Sequence, residues 1–161
     1  MNETFYTVRR QDRILDDNRA TELLQTAEYG FLSLGESKNG YAYGIPINFA
    51  YDEEANTLYF HCAPEGHKLD NMSHNNKVSF CVVGKTHPIG EKFTTLYESV
   101  IVFGTADIHP TDEDKRTAIR KLVEKYAPEH MELGEKYMEK SFHRTHTFTI
   151  RIEKITAKCK K

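Results

Sequence analysis

The sequence predicts a mainly β fold: an antiparallel barrel of six strands with helices inserted as covers. Three observations carry this. First, residues 41–51 alternate throughout. Tyr41, Tyr43, Ile45, Ile47, Phe49 and Tyr51 are large and apolar or aromatic, and Ala42, Gly44, Pro46, Asn48 and Ala50 between them are small or polar. That is the period of two of a half-buried strand. Second, strand-like runs follow one another in hairpin-like succession. Third, the helical segments fall between them irregularly, whereas a doubly wound parallel sheet alternates strand and helix regularly.

In chain order, Asp16 to Glu28 opens with acidic N-cap candidates. It sets Ala20, Leu23, Leu24 and Ala27 at i, i+3, i+4 and i+7, an amphipathic helix. Tyr29-Gly30 ends it, and Phe31 to Leu34 reads as a short strand. In the long strand that follows, Pro46 has no N–H to give a ladder, so an edge or a bulge is expected there. After the turn Asp52 to Asn56, Thr57 to Ala63 forms a hairpin partner.

Pro64 to Asn75 carries Leu69 and Met72 at helical spacing and reads as a short helix. Lys77 to Val83 alternates through Val78, Phe80 and Val82. Leu96 to His109 is a long strand in which Gly104 marks a bend or bulge. Thr111-Asp112-Glu113-Asp114 supplies an N-cap and an acidic first turn favourable to the helix dipole, followed by the apolar stripe Ile119, Leu122, Val123 and Tyr126. Pro128 separates this helix from a shorter one, Glu129 to Ser141. Thr145 to Ile152 alternates through Phe148, Ile150 and Ile152 and closes the fold. The reading is one domain over residues 1–161, with 1–10 as an N-terminal extension and 157–161 as a frayed, solvated tail.

A length of 161 residues fits one domain. With 22 Lys+Arg against 24 Asp+Glu, the net charge of −2 excludes a broadly basic nucleic-acid binder. No apolar run approaches the roughly 18 residues of a membrane span. Met1-Asn2-Glu3-Thr4 does not open a secretory signal. Cys62, Cys81 and Cys159 are an odd set without a CxxC, which reads as free thiols in a reducing cytoplasm. A soluble cytoplasmic protein is expected, with neither nucleic acid nor membrane as partner.

Two segments carry chemical potential. The face Gly44, Pro46, Asn48, Ala50 would let a flat ligand approach the backbone closely, or its small residues pack under a neighbour. In His61-Cys62-Ala63-Pro64-Glu65-Gly66-His67-Lys68 a strand ends, Gly66 permits a tight turn and a helix begins beside a cation. Free N–H groups there, with Lys68 and His67, make a cradle for an anion such as phosphate; the alternative is a solvated turn. The eight histidines match neither HExxH nor a Cys/His zinc spacing, so no metal is expected. Ser99 lacks a nucleophile elbow. GxGxxG and GxxxxGK[ST] are absent, which excludes a Rossmann or P-loop site.

Four stretches, in order, resemble the pyridoxamine 5′-phosphate oxidase-like flavin-binding split barrels, and within them the 5-nitroimidazole resistance (Nim-type) proteins. They are the first helix with Tyr29 to Leu34; Gly44 to Tyr51; Leu58 to Lys68 followed by Asn75 to Phe80; and Tyr97 to Ala106. The His-x-Ala-x-x-Gly-His-Lys run is the most specific of these. The resemblance implies a homodimer with FMN between subunits. Pro46, Ile47, Asn48 and Phe49 would lie along the isoalloxazine. Lys68, with the backbone near Ala63 to His67, Gly66 included, would hold the phosphate; His61 and Cys62 would also bind the cofactor, and Tyr97, Ser99 and Val100 would reach it from the partner chain.

In pyridoxamine phosphate oxidases an Arg-Lys pair opens the phosphate-binding helix. Here it is His67-Lys68, and the basic strand residues that clamp phosphate there are neutral in Ile45 to Tyr51. These departures argue against vitamin B6 oxidation and agree with the Nim-type pattern. The implied activity is FMN-dependent reduction of a nitro group on a 5-nitroimidazole-like molecule, with His67 as the catalytic candidate that orients substrate or supplies a proton. The alternatives are a haem-binding or haem-degrading split barrel, using His61, His67 or His143, and a flavin-binding protein without turnover.

Overall fold

In the computed structural model, which describes residues 5–36 and 39–161, the first helix forms where an acid can cap it. The Asp16 carboxylate accepts from the Asn18 and Arg19 N–H groups, and α1 (Asp17–Thr26) buries Ala20, Leu23 and Leu24. The strands that follow are β1 (Gly30–Glu36), β2 (Ala42–Ile47), β3 (Ala50–Asp52) and β4 (Thr57–Cys62). Then come α2 (His67–His74), β5 (Lys77–Ile89), β6 (Thr94–Asp107), α3 (Asp112–Tyr126), α4 (Met131–Ser141) and β7 (His146–Lys160). Residues 1–4 of the expected N-terminal extension and its leader reading lie outside the described residues. No described helix is long and apolar enough to cross a membrane.

All strands join one antiparallel sheet in the order β2-β1-β5-β6-β7-β4-β3. It has seven strands rather than the expected six, because residues 41–51 do not form one strand. The chain breaks at Asn48 and Phe49. β2 pairs with β1 at one end of the sheet, and β3 pairs with β4 at the other. Along the chain this dipeptide joins the two edges, and the barrel is split. The alternation was real, but a period of two does not say which neighbour a strand takes. Pro46 sits on the edge strand, where a missing N–H costs no ladder bond.

The inward face is built on Phe49, Phe60, Phe80 and Phe148, all fully buried. Phe60 stacks on Phe148 at 4.7 Å, and both Phe60 and Phe49 meet Phe80 edge-on. Burying each such ring stabilises the fold by about 1.5–3 kcal/mol. The register shifts at Phe103/Gly104. A Cβ at Gly104 would lie 2.4 Å from the Arg151 carbonyl oxygen, so the bulge requires glycine. α3 opens with a reciprocal capping box between Thr111 and Asp114.

Two expectations need correction. β5 continues past Val83 to Ile89 as one half of a two-stranded arm with β6, from Thr86↔Tyr97 to Ile89↔Thr94. Residues 157–161 are not a frayed tail: β7 runs to Lys160 opposite Tyr97, and Ala157 and Cys159 are buried.

Candidate functional site

β4 ends at Cys62, and the chain turns through Ala63, Pro64 and Glu65 into α2. Gly66 is the N-cap, with φ 134° and ψ 171°, a conformation that residues with a Cβ rarely adopt. Its carbonyl accepts from the Leu69 and Asp70 N–H groups at 3.0 and 3.1 Å. No side chain caps the helix, so its first N–H groups are left for solvent or a ligand. Beside them the Lys68 ammonium makes no ion pair or hydrogen bond among the described residues. The His67 ring lies against Tyr43 of β2, with centroids 3.9 Å apart and planes 25° from parallel.

The Lys68 charge reaches two neighbours on β4. The surrounding protein disfavours the His61 cation, and Lys68 lowers its pKa further. The ring still has an exposed side. His61 is therefore a neutral imidazole at pH 7, an acceptor at one nitrogen and a donor at the other. Burial raises the Cys62 thiol pKa, with Lys68 opposing, and burial raises that of Cys81. Neither is a ready thiolate at neutral pH. Cys62, Cys81 and Cys159 are all free thiols.

His61 and Asn48 open onto a cavity of about 460 Å³ between β4, α3 and α4, lined otherwise by residues including Leu122, Val123, Tyr126 and Met138. The Asn48 amide nitrogen donates to the Glu28 carbonyl at 2.8 Å. One chain thus brings together Asn48, His61, Cys62 and Lys68. Ala63 and Gly66 sit in the exposed turn between them.

The other expected contacts separate. Phe49 and Val100 are fully buried, so their side chains belong to the core rather than to a ligand. The Phe49 N–H and carbonyl are both within hydrogen-bond distance of the Tyr126 hydroxyl. Ile47 packs against the core cluster. At Gly44 the packing alternative applies: a Cβ there would lie 2.4 Å from the Phe31 ring, which crosses the small face. Pro46 stays exposed beside it.

Tyr97, Ser99 and Val100 lie far from Lys68 within one chain. Thr147 of β7 faces His61, and Lys158 of the same strand faces Ser99. At about 3.3 Å per residue those positions are at most roughly 36 Å apart along β7.

The sequence reading missed the α3–α4 wall of the cavity, because Ile119, Leu122, Val123 and Tyr126 carry the same periodicity whether a helix stripe meets a core or lines a hollow. No signal marked Lys125, whose buried ammonium has no hydrogen-bond partner among the described residues. Among those residues no group of His, Cys, Asp and Glu could hold a metal.

Several solved structures share this architecture. A candidate 5-nitroimidazole antibiotic resistance protein from Bacteroides thetaiotaomicron aligns over 91% of this chain and 86% of its own, at 22% identity and a TM-score of 0.76. A flavocytochrome from Azotobacter vinelandii aligns over 100% of this chain and 75% of its own, at 16% identity and a TM-score of 0.80. An FAD- and haem-binding protein from Mycobacterium smegmatis covers 92% of this chain and 73% of its own, at 17% identity and a TM-score of 0.74. At these identities the likeness is one of fold. No curated protein matches the chain. A family model described as pyridoxamine 5′-phosphate oxidase matches residues 16–159. With the split sheet, its helical covers and nearly the whole chain inside that match, the protein belongs to the pyridoxamine 5′-phosphate oxidase family.

Proposed function

We propose that the chain binds FMN and acts as a flavin-dependent oxidoreductase of the Nim type, reducing nitro groups on small 5-nitroimidazole-like molecules in the cytoplasm. The observation that carries the reading is the unpaired Lys68 at the uncapped start of α2, which fits a phosphate. Its charge acts on His61, which lines a cavity together with Asn48. An anion there gains the Lys68 charge and the helix N–H groups together. Lys68, Gly66 and Ala63 would hold the phosphate end. Pro46, Ile47 and Asn48 would flank the ring system, and His61 and Cys62 would lie between. Bound FMN would supply two-electron transfer, while His67, backed by the Tyr43 ring, orients the acceptor and supplies a proton. The nitroimidazole-resistance and flavin-binding descriptions of the structural neighbours support the same reading.

The partner in this reading is a second copy. Pro46, Phe31, Cys81, Ile101 and Thr156 stand in register across the outer face of β2, β1, β5, β6 and β7. Phe31 is 47% exposed and Val83 is 61% exposed. A twofold contact through this patch would cover it and carry Tyr97 and Ser99 of the second copy to the site.

The test is to denature the purified protein, identify the released chromophore, and follow anaerobic turnover of a nitroaromatic. Released or rebound FMN with turnover supports the reading. FMN without turnover leaves a binding protein, and haem absorbance with no flavin replaces the reading by the haem alternative. A monomer by sedimentation with FMN still bound would remove the second copy from the site.

A further inference from the structure

We infer that the two-stranded arm of β5 and β6 is a clamp that one copy lays over the other, with its Phe93 ring seated on the exposed turn that leads into the Lys68 cradle. The inference rests on the flavin reading and its second copy for what the clamp covers. The arm pairs Thr86 with Tyr97, His87 with Leu96, Pro88 with Thr95 and Ile89 with Thr94. The flanking strands do not follow it outward. β6 last meets β7 at Tyr97↔Lys160, and β1 last meets β5 at Phe31↔Cys81. A ribbon of two strands with both edges free is marginal in water and needs a further element to hold it. At its tip Phe93 is 97% exposed, with φ 46° and ψ 46°. A left-handed backbone disfavours a bulky residue, and its own chain gives this ring nothing to pack against in return.

The place of the arm in the sheet says what the ring meets. β7 marks the two ends: Lys160 lies opposite Tyr97 at the base of the arm, and His146 lies opposite Cys62, where the chain enters the turn to α2. His67 stacks on Tyr43 at that second end, since Tyr43 pairs with Leu34 and Leu34 with Val78 near the start of β5. Arm and cradle therefore lie at opposite ends of one molecule. When two copies pack sheet face to sheet face about a twofold, the axis lies in the plane of contact. An axis across the strands swaps the ends and lays the arm of one copy towards the cradle of the other, as the sharing of Tyr97 requires. Phe93 is four residues further out than Tyr97, about 13 Å along an extended strand, which carries it towards the turn in front of Lys68. Ala63, Pro64 and Glu65 of that turn are exposed, and the first two offer the ring an apolar surface. Between Val83 and Tyr97 the arm carries Lys85 and Lys92 against Glu91, so it brings net positive charge beside an anion. The contact would close the cradle from outside and slow the escape of the FMN phosphate.

The test replaces Phe93 with the photoreactive p-benzoylphenylalanine, with and without saturating FMN, and maps the crosslinks by mass spectrometry. The expected product is a covalent dimer joined at residues 63–66. Phe93→Gly supplies a second readout. Glycine suits the left-handed backbone, so this variant removes the ring without straining the arm. FMN release, followed by flavin fluorescence, should quicken about ten-fold, and Phe93→Leu should recover most of the loss. A dimer crosslinked elsewhere, crosslinks confined to one chain, or unchanged FMN release in Phe93→Gly overturns the inference and leaves the flavin reading in place. A monomer by sedimentation overturns it as well. A dimer joined at residues 63–66 in a protein that binds no FMN would sink the flavin reading and leave the clamp contact standing.

Discussion

The Tyr126 hydroxyl closes the split in the barrel by meeting both main-chain groups of Phe49. The Phe49 N–H donates to it at 3.0 Å, and the Phe49 carbonyl lies 2.9 Å away. The Glu28 carbonyl is 2.5 Å away, so one proton serves one of two acceptors at a time. Phe49 sits where the chain leaves one edge of the sheet for the other and has no ladder partner there. A phenol from α3 takes the ladder's place.

Tyr126→Phe removes that hydroxyl and leaves the Phe49 N–H unsatisfied. The expected cost is about 1–3 kcal/mol, read by denaturant unfolding. The Phe49 amide should lose hydrogen-exchange protection before the amides of β5 and β6 do. Unchanged protection at Phe49 would mean that the hydroxyl does not hold the split.

The Lys125 ammonium stands 3.8 Å from the centroid of the same Phe49 ring. It is buried without a hydrogen-bond partner among the described residues, and desolvation pushes its pKa down to about 8. A folded-state value below the ordinary 10.5 means that the unfolded chain holds more protons between those two pH values. Stability therefore rises with pH through that window and is lost again as pH falls through about 8. The Phe49 ring offsets part of the burial cost through a cation–π contact of about 1–2 kcal/mol. Lys125→Met should thus match or exceed the parent in stability at pH 7, and the parent should gain on it between pH 8 and 10.5. Parallel stability curves across that range would contradict the buried charge.

The C-terminal strand separates what the sequence made legible from what it hid. Thr145 to Ile152 announced itself by alternation. Residues 157–161, Ala-Lys-Cys-Lys-Lys, carry three lysines in five and read locally as a solvated tail. The structure pairs them with β6 and buries Ala157 and Cys159. Helix caps at Asp16 and Thr111, the Gly104 bulge and the turn at Gly66 were readable because each depends on a few adjacent residues. The break at Asn48 and the hollow under α3 depend on which elements meet across the fold, and no local pattern carries that. Deleting residues 158–161 should therefore lower the unfolding midpoint, and losing the bridge between Ile14 and Lys158 should loosen the start of α1. A truncated chain as stable as the parent would restore the tail reading.

Lys68 and His67 should fail differently. If Lys68 meets the FMN phosphate, Lys68→Ala removes a charge-assisted contact of about 1.5–3 kcal/mol. FMN affinity should then fall by roughly ten-fold to a hundred-fold, with partial recovery at low salt or high FMN, since the loss is electrostatic. The same variant has a readout that needs no cofactor. Lys68 is one of the two causes that lower the His61 pKa, so the His61 titration followed by NMR should move upward in Lys68→Ala. His67→Ala removes the ring stacked on Tyr43. It should leave FMN affinity nearly intact and depress single-turnover nitro reduction at saturating FMN. Equal losses of FMN affinity in both variants, with activity restored in both by added FMN, would make His67 a second phosphate contact and end its catalytic assignment.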